Sequence, residues 1–382
     1  MKKATSLHTK LHNRDLVLHT IFANTSISRA EVARVTKLTR TTVSDMVNGL
    51  LNEGLVEEVG RGESIGGKTP ILLSIAPDSR YLIGLNLAQN KFIGAVVNLR
   101  GEIREKIEVI VDDNDGKKAL ESVFKILDEL ISKKLTPIVA IGVGAPGLIN
   151  SREGVVVNAV NLDWYDLKLG NLLEKKYGIP ISILNDSQAS AIGEYVYNGN
   201  REQEENYIVV NINQGIGAGI LINGSLFQGD GGGAGEIGHV VAIENGELCR
   251  CGKRGCLETI ASMRAIMRQI KQSSIEDAIT AFAENDPQTR EIVLQAGHYL
   301  GVSLANMIGV LNIHKIILTG DVVRFGADWF EIVKSSMEKA ALSPMSQSTS
   351  LEVGRLGYDA CVLGAAAFLL LNDYSLLYTK DN

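Results

Sequence analysis

The spacing of apolar residues changes near residue 75, and this change limits the fold of the 382-residue chain more than any other feature. Before it, short helical stripes follow one another closely and give way to two short strands. After it, apolar strands bounded by glycine alternate with helical segments, as at residues 81–87, 92–99, 138–143, 181–184, 207–212, 217–222 and 315–318. Such alternation is typical of an α/β fold. We therefore predict a small domain over residues 1–75 and a large α/β domain over residues 76–382.

The small domain has the pattern of a helix-turn-helix followed by a wing. Apolar residues at helical spacing predict a first helix over residues 14–22. Ser28 and Glu31 form a capping-box pattern at the start of a second helix, and Thr39 can cap a third. Two strands that flank a polar, glycine-rich loop are predicted at residues 55–59 and 71–75. A small helical oligomerisation module with a hairpin is the competing interpretation.

The outward face of the third helix favours DNA binding, because it carries short polar residues and one long cation, as a helix in the major groove requires. Residues 1–53 contain eight Lys and Arg against four Asp and Glu, a net charge of +4, so the remainder carries −10 of the total of −6. This asymmetry is typical of a chain whose basic end binds a polyanion. We predict double-stranded operator DNA as a partner, read in two half-sites by a homodimer or tetramer. The predicted DNA contacts are Arg40, Thr41, Thr42, Ser44, Asn48, Arg61 and Lys68.

One imidazole and three thiols in the large domain predict a structural zinc site. His239 is followed by Cys249, Cys251 and Cys256, and two glycines within the cysteine segment let the backbone fold around one ion. Three sulfurs and one nitrogen match the tetrahedral preference of Zn²⁺. Cys361 stands in an apolar run and is interpreted as a core residue.

Composition places the chain among ordinary globular proteins, since 45% of its residues are apolar and 21% are charged. It has no run of about 18 apolar residues that could cross a bilayer, and its start lacks the apolar segment of a secretory signal. We expect a cytoplasmic location, reduced cysteines and no membrane partner.

The residues around the predicted metal site resemble the ROK family of repressors and sugar kinases. The motifs are Glu-x-Gly-His from Glu236, Cys-x-Cys-Gly-x-x-Gly-Cys-x-Glu from Cys249, Asn-Asp at Asn185, and a glycine-rich run from Gly215. The first 75 residues are similar to the repressor branch, especially the xylose-repressor type.

This resemblance implies an actin-like, hexokinase-like body of two lobes, approximately residues 80–190 with the C-terminal helix, and residues 191–364. It also implies one zinc per chain, and a monosaccharide bound through hydroxyl groups that pair with buried polar side chains. The sugar contacts carried over are Asn185, Asp186, Glu236, His239 and Glu258, and the zinc ligands are His239, Cys249, Cys251 and Cys256.

The segment that would bind ATP departs from the pattern of the family's kinases. Those kinases open with Asp-x-Gly-Gly-Thr, whereas residues 86–91 here read Asn-Leu-Ala-Gln-Asn-Lys, and Gln214 stands where threonine is usual. The carboxylate and both glycines that serve Mg²⁺ and phosphate are absent. We therefore predict no ATP, no catalytic residue and no enzymatic activity, with Asp186 accepting a hydrogen bond from a sugar hydroxyl.

Together these features predict a sugar-responsive repressor of genes for carbohydrate uptake or utilisation. A sugar such as xylose or glucose is expected to bind between the lobes and change operator affinity. The metal loop and the linker at residues 68–70 are expected to transmit the change. An ATP-dependent sugar kinase and a repressor controlled by a protein partner are the alternatives.

Overall fold

The computed structural model describes residues 6–63, 69–88, 91–111, 115–197, 206–270 and 272–378. We call residues 6–75 the head and residues 76–378 the body. A search of the described residues finds no helix whose length and apolar character would suffice to span a bilayer.

The head is a winged helix-turn-helix, as predicted. Its elements are α1 (Ser6–Ala23), β1 (Ile27–Ser28), α2 (Arg29–Thr36), α3 (Arg40–Asn52), β2 (Val56–Arg61) and β3 (Ile71–Ile75), and the sheet order is β1-β3-β2. The capping box is confirmed, because Ser28 accepts from the Glu31 backbone at 3.3 Å and donates its own backbone N–H to the Glu31 carboxylate at 3.0 Å. The first helix starts eight residues earlier than predicted, since its exposed first turns carry no apolar stripe.

The first lobe of the body is built on a five-stranded sheet of order β11-β7-β4-β5-β6. Its elements are β4 (Tyr81–Ala88), β5 (Lys91–Asn98), β6 (Ile103–Ile110), α4 (Gly116–Ser132), β7 (Ile138–Ala145), α5 (Leu169–Tyr177) and β11 (Ile181–Asn185). A small sheet of β8 (Leu148–Asn150), β9 (Val155–Ala159) and β10 (Trp164–Leu167) is attached to it. Strands β4 to β6 pair antiparallel, and β7 and β11 continue the sheet in parallel.

The second lobe repeats this topology, with the order β14-β13-β12-β15-β16. Its strands are β12 (Tyr207–Ile212), β13 (Ile216–Ile222), β14 (Ser225–Phe227), β15 (Lys315–Thr319) and β16 (Ser350–Val353). Its helices are α7 (Glu258–Ala261), α8 (Met263–Gln269), α9 (Ile275–Ala283), α10 (Pro287–Leu311), α11 (Ala327–Ala340) and α12 (Ser343–Ser348). Three antiparallel strands again lead into two parallel ones, so the body contains two lobes of the same design.

Two helices, α6 (Asp186–Tyr197) and α13 (Ala360–Asn372), lie where the lobes meet. They touch backbone to backbone, since a Cβ on Gly364 would lie 1.8 Å from the carbonyl oxygen of Ala189 and one on Gly193 would lie 2.1 Å from that of Ala360. Helix α6 packs on β12 and β13 and α13 packs on β4 and β7, so the pair joins both sheets. The lobe boundary predicted at residues 190 and 191 falls inside α6.

Arg100 of the body joins it to the head by hydrogen bonds, whereas Arg80 binds a carbonyl group within the body itself. Arg100, in the turn between β5 and β6, donates to the carbonyl oxygens of Phe22 (3.0 Å) and Asn24 (2.9 Å) and to the hydroxyl of Ser74 (2.8 Å). Arg80 donates to the carbonyl oxygen of Leu377 near the C-terminus at 3.0 Å. The predicted linker lies partly in residues 64–68, outside the described residues.

The contact between α6 and α13 predicts that Gly364→Ala is strongly destabilising. The added methyl group would meet a backbone oxygen, which cannot rotate away, so the free energy of unfolding should fall by about 3 kcal/mol or more. Gly309→Ala is the matched control: this glycine lies in helix α10 with nothing within 4 Å of an added Cβ, and the change should gain about 0.5–1 kcal/mol. Urea unfolding measures both, and equal effects would contradict the predicted contact.

Candidate functional site

The first group of the candidate site lies where strand β11 ends and helix α6 begins. Asn185 is the last residue of β11, and its side-chain oxygen accepts hydrogen bonds from the backbone N–H groups of Ser187 (2.9 Å) and Gln188 (3.3 Å). Its amide nitrogen donates to the carbonyl oxygen of Gly147 at 3.0 Å. Asn185 therefore caps α6 and fixes the position of Asp186, the first residue of that helix.

A second group comes from the segment between β14 and α7. Glu236 precedes a single 3₁₀ turn that ends at His239, and its carboxylate lies 3.8 Å from Nε2 of that histidine. Gln188 of α6 holds the segment in place, because its side-chain nitrogen donates to the carbonyl oxygens of Gly232 (3.0 Å) and Ala234 (3.3 Å). A loop of the second lobe is thereby fixed beside the start of α6.

Glu258 is the third group and the most firmly held. One of its carboxylate oxygens accepts from Nη2 of Arg264 at 2.6 Å, and the other accepts from the backbone N–H of Ile216 at 3.3 Å. Its side chain is 12% exposed. A Cβ on Gly215 would lie 2.6 Å from the Glu258 carboxylate, so glycine is needed for this close approach.

The three carboxylates share one electrostatic environment. Burial raises the pKa of Asp186 to about 6, and the nearby Glu258 carboxylate also acts to raise it. Burial, followed by the charges of Asp186 and Glu258, raises the pKa of Glu236 to about 7. Carboxyl groups near their pKa can both accept and donate hydrogen bonds, which is what the hydroxyl groups of a polyhydroxylated ligand require. The fold thus brings together side chains from both lobes that are 72 residues apart in sequence, from Asp186 to Glu258.

The glycines of β13 allow this strand to lie directly against α6. A Cβ on Gly217 would lie 2.4 Å from Oγ of Ser187, and one on Gly219 would lie 2.3 Å from the Cβ of Ala191. The glycine-rich run from Gly215 therefore has a packing role that needs no phosphate.

The predicted metal ligands form a compact cluster. The ligand atoms of His239, Cys249, Cys251 and Cys256 all lie within 4.8 Å of one another. Nδ1 of His239 is 3.6 Å from Sγ of Cys249, and Sγ of Cys251 is 3.6 Å from Sγ of Cys256. A tetrahedral ion with bonds of about 2.0–2.3 Å separates its ligand atoms by roughly 3.3–3.8 Å, so the donor set fits. The cluster could therefore hold a metal ion.

The protonation chemistry of the cluster agrees with this fit. Burial, followed by hydrogen bonds that the Cys256 thiol makes with Cys251 and Cys249, raises the pKa of Cys256 to about 12. The thiolate that binds metals therefore needs a cation inside the cluster. His239 contacts both the cluster and the carboxylates, since its Nδ1 faces Cys249 and its Nε2 faces Glu236.

The predicted DNA contacts differ in accessibility. Those that are exposed are Arg40, Thr41 and Asn48 on α3 and Arg61 at the end of β2. Ser44 is half-buried, and the hydroxyl of Thr42 is hydrogen-bonded to that of Thr39 at 2.8 Å within the helix cap. Thr42 is thus partly used by the fold, and Lys68 lies outside the described residues.

The end of β4 carries an amide in an unusual setting. Asn86 lies between Ile93 of β5 and Gly144 of β7, and its side-chain oxygen is buried without a hydrogen-bond partner among the described residues. Residues 89 and 90, part of the predicted departure from the kinase pattern, lie outside the described residues.

Sequence reasoning missed two arginines of the site. Arg264 binds Glu258, six positions earlier in the chain, because Ser262 breaks the helix between them and caps α8. Arg264 also lines a pocket of about 310 Å³ between α8 and the metal loop, residues 249–256. Arg250 of this loop donates a hydrogen bond to the side chain of Asn161 in the first lobe. Neither pair follows a periodic spacing, so no sequence pattern could have predicted them.

The raised pKa of Asp186 predicts that Asp186→Asn stabilises the protein at neutral pH. The native state holds the proton more tightly than the unfolded state, in which the pKa is 3.8, so ionisation costs native stability as pH rises from about 4 through 6. The asparagine avoids this cost, and the free energy of unfolding should rise by about 3 kcal/mol at pH 7.5. The gain should shrink towards zero as the pH falls to 4.

Chemical unfolding across this pH range measures the effect. Asp78→Asn is the control of opposite sign, because a hydrogen bond from Arg104 lowers the pKa of Asp78 and its carboxylate stabilises the native state above the unfolded pKa. A loss of stability in Asp186→Asn at pH 7.5 would contradict the prediction.

Comparison with known proteins shows what this arrangement is similar to. A solved ROK family transcriptional regulator, a homologue of the E. coli MLC protein, matches with a TM-score of 0.82 and 25% identity, over 97% of this chain and 98% of that one. The xylose repressor of Bacillus subtilis (strain 168) is 30% identical over 97% of this chain and 98% of its own.

A glucokinase of Halalkalibacterium halodurans is 31% identical, over 75% of this chain and 93% of its own, so repressors and kinases are both close relatives. The predicted fold class is confirmed, with an actin-like body of two lobes behind the helix-turn-helix head. The ROK family model matches residues 82–371. This chain therefore belongs to the ROK family.

Proposed function

We propose that this protein is a transcriptional repressor whose affinity for operator DNA responds to a monosaccharide, and that it controls genes for carbohydrate uptake or utilisation. The observation that carries the proposal is the presence in one chain of a head with an exposed polar helix α3 and a body with three carboxylates beside a histidine at the lobe junction. The repressor named for xylose that matches nearly the full chain supports it. DNA binding is assigned to residues 1–75 and sugar binding to residues 76–382.

The head is proposed to place the N-terminal half of α3 in the major groove. The proposed contacts to bases and phosphates are Arg40, Thr41, Ser44 and Asn48. From the wing, Arg61 and Lys68 contact the phosphate backbone of the DNA. Since one head reads one half-site, the protein binds as a homodimer or tetramer to a near-palindromic operator.

The sugar site is proposed to consist of Asn185, Asp186, Glu236, His239 and Glu258. Each hydroxyl group of a sugar is both a donor and an acceptor, and a site of ionised and protonated carboxyl groups pairs with both functions. Asn185 retains one N–H for the ligand after donating the other to Gly147. Xylose and glucose are the sugars that the similarity favours.

The metal cluster is proposed to hold one structural zinc ion per chain through Nδ1 of His239 and the sulfurs of Cys249, Cys251 and Cys256. A bound zinc ion supplies a rigid crosslink for the loop and keeps the thiols deprotonated. His239 is thereby oriented with Nε2 towards Glu236 and the sugar.

Phosphorylation of the sugar is not part of the proposal. Asn86 stands where the kinases of the family carry a carboxylate for Mg²⁺, and an amide oxygen is a much weaker ligand for that ion. Asp186 could still accept a proton, but without phosphate and magnesium contacts its role is to bind a hydroxyl group.

Two substitutions should separate the functions of head and body. Arg40→Ala removes a groove contact, and operator affinity should fall by about tenfold with the sugar affinity unchanged. Glu236→Ala should leave operator affinity without sugar within about twofold and abolish the response to xylose or glucose. Fluorescence anisotropy with labelled operator DNA, with and without each sugar, measures both effects.

Matched controls are Arg152→Ala and Glu244→Ala, which remove exposed side chains of the same types from turns of the body. Both should behave like the wild type. If Glu236→Ala still responds normally to the sugar that acts on the wild type, the assignment of the sugar site is wrong.

The proposed zinc site predicts metal content directly. Cys249→Ala should reduce the zinc content from one ion per chain to near zero, and the unfolding temperature should fall because the loop loses its crosslink. Cys361→Ala removes a buried cysteine of α13 outside the cluster and should keep one zinc. Mass spectrometry of metals in the purified proteins measures the content, and retention of zinc by Cys249→Ala contradicts the site.

A further inference from the structure

The last described residues of the chain lie between the body and the head. After α13 ends at Asn372, a 3₁₀ turn over Tyr374–Leu377 packs onto α1. The ring of Tyr374 meets the rings of His19 and Phe22 edge-on, with centroids 5.5 and 5.8 Å apart. Leu377 is completely buried. This C-terminal segment, residues 373–378, is thus part of the core that head and body share.

The segment also contacts two charged side chains of α1, one of which is ion-paired to the residue after α3. The hydroxyl of Tyr378 donates to the carboxylate of Asp15, and the guanidinium of Arg14 lies 3.7 Å from the centre of the Tyr378 ring. Arg14 forms an ion pair with Glu53, the residue that ends α3. The C-terminal segment therefore contacts an arginine that is ion-paired to the end of α3.

Helix α13, which precedes the C-terminal segment, begins next to the candidate sugar site. Cys361 lies in the first turn of α13, and burial together with the charge of Asp186 raises the pKa of its thiol. Helix α6, which starts at Asp186, touches α13 backbone to backbone at Gly193 and Gly364. Such contacts have no layer of side chains that could rearrange, so a shift of α6 has to move α13 as well.

We propose that the C-terminal segment couples the sugar site to the DNA-binding head, through α6, α13 and the contacts of Tyr374 and Tyr378 with α1. The inference rests on the proposed function and assigns its route of communication. A ligand can shift the head only if its affinity differs between two arrangements of these helices and the segment. The sugar and the DNA then change each other's affinity by the same factor. This route differs from the one expected from the sequence, which passes through the metal loop and the linker at residues 68–70.

The test is the coupling factor, the ratio of operator dissociation constants with and without saturating sugar, measured on the full chain with xylose and glucose. Allosteric coupling factors are typically about 5–150. Tyr378→Ala should reduce the factor of the wild type to below about 2, with the sugar affinity in the absence of DNA kept within about threefold. Tyr378→Phe, which loses only the hydroxyl, should give an intermediate factor and preserves the test if the alanine variant fails to fold.

Tyr177→Phe is the matched control, because the hydroxyl of Tyr177 also donates to an aspartate, Asp128, at 2.8 Å, but in the first lobe away from the head. It should keep the wild-type factor. A wild-type factor in both Tyr378 variants would overturn this inference and leave the proposed function intact. A wild type that responds to neither sugar would remove the proposed function and this inference with it.

Discussion

The close backbone contact between α6 and α13 holds the two lobes of the body together. Glycines at positions 193 and 364 let the two helices touch without side chains between them, and glycines 84 and 142 let α13 lie equally close to β4 and β7. Through these contacts the helix pair joins both sheets. The start of α6 carries Asp186, and the end of α13 leads to the head, so the candidate site and the head share one support.

The same arrangement gives the candidate site its chemistry. Asp186 is fixed at the start of α6, Glu236 is held by the segment that Gln188 pins, and Glu258 is fixed by Arg264. Burial, assisted by the charges of neighbouring carboxylates, raises the pKa of Asp186 and of Glu236, which is costly for stability and useful for binding hydroxyl groups. His239 belongs both to this group and to the candidate metal cluster, because one ring nitrogen faces Glu236 and the other faces Cys249.

Much of the fold could be predicted from local patterns. The capping box at Ser28, the apolar stripe of α3 and the alternation of strands and helices after residue 75 all match the structure, because each depends on neighbours within a few residues. The two lobes that the family resemblance implied are also present, and they have equal topology. The start of α1 and the third strand of the wing sheet lacked such a pattern and were missed.

Local sequence patterns and family motifs were enough to predict the parts: a helix-turn-helix, a two-lobed α/β body, four side chains that could hold a metal ion and a set of carboxylates. How these parts contact one another depends on the packing of the whole chain. The pairs of Glu258 with Arg264, Arg250 with Asn161 and Tyr378 with Asp15 join residues whose spacing follows no period. They form because packing of the two lobes and the C-terminal segment brings them together, and that packing is a property of the whole chain.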